Sequence, residues 1–155
     1  MKESRRLKIS VFVWLKLMYQ LKKRGKESRE SGAFLLAKND SQRITSFICF
    51  DDLDPDCLTG GIEFSHRGYQ KLWSFLKGKN LRVIADVHTH PSNWTGQSIY
   101  DKMNPTISNV GHVALIVPHF AKVVPQFLEG VGIYEYLGEH QWNILNHTSV
   151  KITLL

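Results

Sequence analysis

The sequence predicts one α/β domain in which helices flank a central mixed sheet. Three observations support this. Segments with apolar residues at helical spacing are interspersed with short apolar runs of strand length. Turn residues separate them, without an internal repeat, low-complexity tract or clear linker. The 155 residues suit a single domain spanning 1–155, and 43% hydrophobic content with Trp 4, Tyr 5 and Phe 8 supplies a core.

Leu7–Ile9 is a short strand candidate, and Ser10 is positioned to cap a helix running to about Lys23. Val11, Trp14, Leu15, Met18 and Leu21 form its predicted buried face, and the polar stretch around Gly25 ends it. Ala33–Ala37 and Ile44–Phe50, separated by Asn39-Asp40-Ser41, predict a hairpin. Asp51–Gly61, with its Asp, Pro and Gly residues, predicts a loop. Ser65 caps a second helix that places Tyr69, Leu72, Trp73 and Leu76 on one face, stopped by Gly78 and Asn80. Arg82–Val87 is a buried strand ending at His88. A loop follows to Gln97, and Ser98 opens a short helix before Pro105. His112–Val117, Val131–Leu137, Trp142–Leu145 and Val150–Leu154 complete the strands.

The pI of about 9.4 belongs to one end of the chain. Residues 1–29 hold ten Lys/Arg against two Glu, and residues 30–155 hold ten Lys/Arg against twelve Asp/Glu. A nucleic-acid face across the whole domain is therefore not expected, whereas a basic docking segment is. The apolar run Ile9–Leu21 is interrupted by Lys16 and is shorter than the roughly 20 residues that span a bilayer. Its basic start resembles a secretion signal, but Leu21-Lys22-Lys23-Arg24 follows where small residues would mark cleavage, so it is assigned to the fold. Cys49 and Cys57 form neither a CxxC pair nor a disulfide framework, which fits a reducing cytoplasm and no membrane association.

The chemistry concentrates in Val87-His88-Thr89-His90-Pro91 and Ser98-Ile99-Tyr100-Asp101. Histidines at i and i+2 on a strand share a face and can present two imidazole nitrogens to one ion. Asp101, in the first turn of the next helix, can add an oxygen. Three protein ligands with a fourth position for water is the usual arrangement of catalytic zinc, and two His with one Asp leave a formal charge of about +1. A hydrolase also needs a base for the water's proton. Glu30, at the entrance to the apolar strand Ala33–Ala37, is the candidate.

These residues resemble the JAMM motif of the JAB/MPN zinc metalloproteases, HxHP followed by SxxD. The seven residues 91–97 between His90 and Ser98 match its spacing, and Glu30-Ser31-Gly32 resembles the E-x-G entry to a strand. The element order is similar over roughly residues 7–137. The resemblance implies an MPN/JAB domain of the cytidine-deaminase-like type with one Zn2+ per chain. His88, His90 and Asp101 would be its ligands, Glu30 the residue handling the water's proton, and Ser98 the donor to the oxyanion. It implies cleavage of a peptide or isopeptide bond after the C-terminal tail of a ubiquitin-like protein, for deconjugation or precursor processing. The compact prokaryotic members that this chain resembles accompany ubiquitin-like conjugation systems, some of them antiviral. Partners would then be a ubiquitin-like protein or its conjugate and the E1- and E2-like enzymes of the same system. Ala33 stands where many relatives carry a second Gly.

Other readings compete. Ser98-Ile99-Tyr100-Asp101 is also a helix-capping pattern, compatible with metal binding. Asp86 is expected to face away from the site. His66, His112, His119, His140 and His147 are expected to be structural or surface residues, with His112 a satisfied core histidine. Cys49 is expected to be packing. Asp51, Asp52, Asp54 and Asp56 lack calcium-loop spacing and suit a solvated loop. Trp94 either packs its loop or contacts an extended substrate tail. The alternatives for function are a RadC-like DNA-associated or non-catalytic scaffold protein, and a metallopeptidase for small peptides or sulfur-carrier proteins.

Overall fold

A computed structural model describes residues 6–124 and 128–155; residues 1–5, the start of the basic segment, lie outside the described residues. The elements run β1 (Leu7–Ser10), α1 (Val11–Gly25), β2 (Gly32–Lys38), β3 (Arg43–Cys49), α2 (Phe50–Leu53), α3 (His66–Leu76), β4 (Leu81–Thr89), α4 (Ile99–Met103), β5 (Val113–Val117), β6 (Gly132–Gly138), β7 (Gln141–Ile144) and β8 (Val150–Thr153). One mixed sheet has the order β7-β6-β5-β4-β2-β3-β1-β8. β4 lies parallel to β5 and antiparallel to β2, and the predicted β2–β3 hairpin is antiparallel. Among the described residues no helix is long and apolar enough to cross a membrane.

The strand period of two sends alternate residues to two separate cores. Ala33, Leu35, Ala85, Val87, Val113 and Leu115 face α1, where Trp14, Leu17, Met18 and Leu21 are fully buried. Each such side chain contributes about 2 kcal/mol of burial. On the opposite face Phe34 and Leu36 meet Phe50, Leu53 and Leu72 from α2 and α3. Phe34, Phe50, Phe64 and Tyr69 make edge-on and tilted ring contacts there, with centroids 4.7–6.3 Å apart. This second face carries the site.

The helix starts match expectation. Ser10 accepts from the Val13 N–H at 3.2 Å and Ser65 from the Gly68 N–H at 3.2 Å. Three sequence readings need correction. Leu15 and Trp73, expected on buried faces, are exposed. Each follows a fully buried position, Trp14 and Leu72, by one residue, and a turn of about 100° carries it past the edge of the apolar stripe. Leu17 takes Leu15's place. Phe50 leaves the β3 register to begin α2, so the predicted loop starts as a helix. Asp51 and Asp52 are not simply solvated. Both accept from Arg24 Nη1, at 3.0 and 2.7 Å, joining α2 to the end of α1.

Candidate metal centre

β4 delivers the first two candidate ligands. His88 pairs with Gly32 on β2 and Ile116 on β5. His90, one residue past the strand, is held by its N–H to the Val117 carbonyl at 2.9 Å. The turn after β5 grips the same segment. The Phe120 N–H donates to the His90 carbonyl at 2.9 Å and the His119 N–H to the Ser92 carbonyl at 3.0 Å. His119, Phe120 and Ala121 all have φ near +55°, at 56°, 53° and 59°. Left-handed backbone costs a non-glycine residue about 1–2 kcal/mol, so these bonds hold a strained turn against the ligand loop.

Asp101 comes from α4 and completes a capping box. Its Oδ2 accepts from the Ser98 N–H at 2.9 Å, and its N–H donates to Ser98 Oγ at 3.0 Å. Capping leaves ligation open, since Asp101 turns the same carboxylate toward the histidines. Ser98 Oγ, accepting from the backbone, keeps its own O–H to donate into the cleft.

The three side chains converge. His88 Nε2 and His90 Nε2 are 3.2 Å apart, His88 Nε2 and Asp101 Oδ1 3.4 Å, and His90 Nε2 and Asp101 Oδ2 3.2 Å. A tetrahedral zinc site with bonds of about 2.05 Å has ligand–ligand edges of about 3.3 Å. The donor chemistry agrees. His90 Nδ1 lies 3.2 Å from the Trp94 carbonyl, which can only accept, so Nδ1 carries the proton and Nε2 presents a lone pair. That lone pair faces another imidazole nitrogen and a carboxylate oxygen. A cation among the three satisfies all of them, and His88, His90 and Asp101 form a group able to hold a metal ion. The carbonyl behind His90 is a typical orienting partner for a ligating imidazole. The Trp94 indole also stacks on His90, with centroids 5.4 Å apart and planes 22° apart. Trp94 therefore packs against the ligands while remaining half-exposed on the cleft wall.

Glu30 reaches the same cleft from the entrance of β2. Its N–H donates to the Gly60 carbonyl at 2.8 Å. The next residue, Ser31, is fully buried; its Oγ donates to the Leu21 carbonyl at 2.7 Å, and its N–H donates to Thr89 Oγ1 at 3.1 Å. The Thr89 N–H returns a bond to the Ser31 carbonyl at 2.9 Å, clamping Glu30's strand entry to the His88–His90 segment. Gly32 is required by close approach: a Cβ there would collide with the Phe50 ring and the Val87 carbonyl. Ala33 faces the other core.

Electrostatics follow from this enclosure. Burial pushes the Glu30 carboxyl up, only partly opposed by His88 and His90. Burial also acts to raise Asp101, but His88 and His90, once protonated on both ring nitrogens in the metal-free protein, donate to it and hold it well below the usual carboxylate range. His88 is raised, because Asp101 more than offsets the burial that would lower it.

Asp86 corrects a sequence reading. It lies two residues before His88, so the strand period puts both on one face, and Asp86 lines the cleft. It is not one of the candidate ligands; its Oδ1 accepts from His112 Nε2 at 3.1 Å. His112 is the satisfied core histidine expected, but its partner was not foreseen. The period-two count from His88 was the signal available. The Ser31–Thr89 clamp and the Arg24 ion pairs had no comparable signal.

Solved structures similar to this chain include the following three. A JAB1/MPN domain protein from Archaeoglobus fulgidus matches with a TM-score of 0.50 and 17% identity, over 95% of this chain and 97% of that one. The fold is MPN-like. A protein from Desulfitobacterium hafniense matches with a TM-score of 0.59 and 11% identity, over 95% and 93% of the two chains. One from Salinibacter ruber matches at 0.57 and 12%, over 90% and 89%. No family model matches the sequence. Within the MPN-like fold, His88, His90 and Asp101 occupy one cleft with Glu30 and Ser98, a space of about 730 Å³.

Proposed function

We propose that the chain is a zinc-dependent peptidase of the JAMM type that cleaves after the C-terminal tail of a ubiquitin-like protein. The observation carrying this reading is the convergence of three lone-pair donors at tetrahedral spacing beside the Glu30 carboxylate. When bound, zinc would supply Lewis acidity, polarising the scissile carbonyl and acidifying water. Glu30 takes the proton of the attacking water and returns it to the leaving amine, being a carboxyl that lines the same cleft as the candidate ligands. Ser98 Oγ donates to the developing oxyanion. The two buried free cysteines fit the reducing cytoplasm of this reading.

With β4 flanked by β2 and β5, the tail would enter between the rim at Gly61–Phe64 and the Trp94 loop, both of which line the cleft. The test is zinc content and cleavage of ubiquitin-like fusions and conjugates, with and without a chelator. About one zinc per chain is expected, and Glu30→Gln should retain zinc and lose cleavage. Chelator-insensitive cleavage, or full activity in Glu30→Gln, would remove the proposal.

A further inference from the structure

The cleft continues past the metal ligands along β4 to Asp86, which is only 3% exposed and forms its floor. The register places Ala114 of β5 beside Asp86, and its short side chain leaves room above the carboxylate. Phe50, Phe64 and Tyr69 form the walls. Tyr69 is fixed by its hydroxyl donating to the Thr106 carbonyl at 2.5 Å. Burial, reinforced by Asp86, pushes that phenol up to about 12, so it stays a donor. His112 Nε2 donates to Asp86 Oδ1, and among the described residues Oδ2 has no hydrogen-bond partner.

Charge points the same way. Glu30, Glu63, Asp86 and Asp101 line the cleft, and among its described lining residues there is no Lys or Arg. A divalent ion offsets Asp101 and Glu30 and leaves Glu63 and Asp86. A buried carboxylate beneath aromatic walls is poorly matched to an acidic or apolar group. It matches an alkyl chain ending in a cation, whose methylenes pack on the rings while the head meets the carboxylate.

We propose that Asp86 forms the floor of a specificity pocket that takes a free lysine or arginine side chain of the substrate, from a residue flanking the scissile bond. This rests on the peptidase reading and is distinct from any lysine released by the cleavage itself. Asp86 selects substrate and moves no proton.

The test uses tail peptides in which each residue flanking the scissile bond is in turn lysine, norleucine or glutamate. Cleavage is measured with the zinc-loaded protein and binding with Glu30→Gln, by fluorescence anisotropy. At one flanking position lysine should be favoured over norleucine about tenfold in both kcat/KM and affinity, with glutamate worst. Asp86→Asn should reduce the lysine-to-norleucine ratio to near one. Ala114→Leu, which keeps the Asp86–His112 pair and fills the pocket, should do the same and decides the matter if Asp86→Asn fails to fold. The proposal is overturned if neither position prefers lysine, or if the preference survives Ala114→Leu. Cleavage without the preference removes the pocket and leaves the peptidase. Asp86-dependent lysine binding without cleavage of any peptide keeps the pocket and removes the peptidase.

Discussion

Two carboxylate–imidazole groups sit on one face of β4, and they behave oppositely. In the first, His88, His90 and Asp101 turn lone pairs toward a common centre. In the second, His112 donates to Asp86 Oδ1, which satisfies the imidazole and leaves Oδ2 open to the cleft. The residue types are the same, although His88 and Asp101 are partly exposed where Asp86 and His112 are buried. The difference is the count of donors and acceptors. Where the Trp94 carbonyl accepts from His90 Nδ1–H, the inward nitrogen of the neutral imidazole has only a lone pair to offer, and the group is able to hold a cation. Where one imidazole faces one carboxylate, a hydrogen bond is enough.

The largest effect that would break this contrast is at Glu30. Glu30→Gln should lower kcat by about 10³-fold or more with zinc content unchanged, because only proton transfer is removed. Ser98→Ala should lower kcat by about 10²-fold with KM nearly unchanged, as loss of one oxyanion donor does. Loss of zinc in Ser98→Ala would show that its capping bond to Asp101 matters more than its hydroxyl proton. At the second group, His112→Ala leaves Asp86 buried without its donor and should cost about 3 kcal/mol, measured by urea unfolding of the zinc-free protein. An unchanged midpoint would make the pair dispensable.

A smaller effect is expected at Gly96, on which the Trp94 ring lies. Gly96→Ala should displace the indole and its carbonyl from His90, weakening zinc about tenfold by competition with a chelating dye. The smallest effect is a pH signature of the zinc-free protein against Asp101→Asn. Asp101 is depressed, so its contribution is present above about pH 4 and lost as pH falls. His88 is raised, so its contribution is present below about pH 6.5 and lost as pH rises through the raised value. The stability advantage over Asp101→Asn in thermal melts should therefore peak between about pH 4 and 6.5, and a flat difference would contradict the pairing.

The sequence by itself determined the starts of the two long helices, most of the strands and the candidate ligand set, because each rests on short-range regularities. Ser10 and Ser65 lie next to the backbone N–H groups they cap, and His88 and His90 share a face through the strand period. Which residues of a helix are buried depended on the neighbours. Leu15 and Trp73 carry apolar side chains, yet the core covers only a stripe one residue narrower than their spacing suggested. The approach of Glu30 to the ligands, 58 residues away in sequence from His88, was decided by the β2–β4 register and the Ser31–Thr89 clamp. The partner of Asp86 was likewise decided by the neighbouring end of β5. Periodicity names the face a side chain occupies; only the packed sheet brings a donor to it.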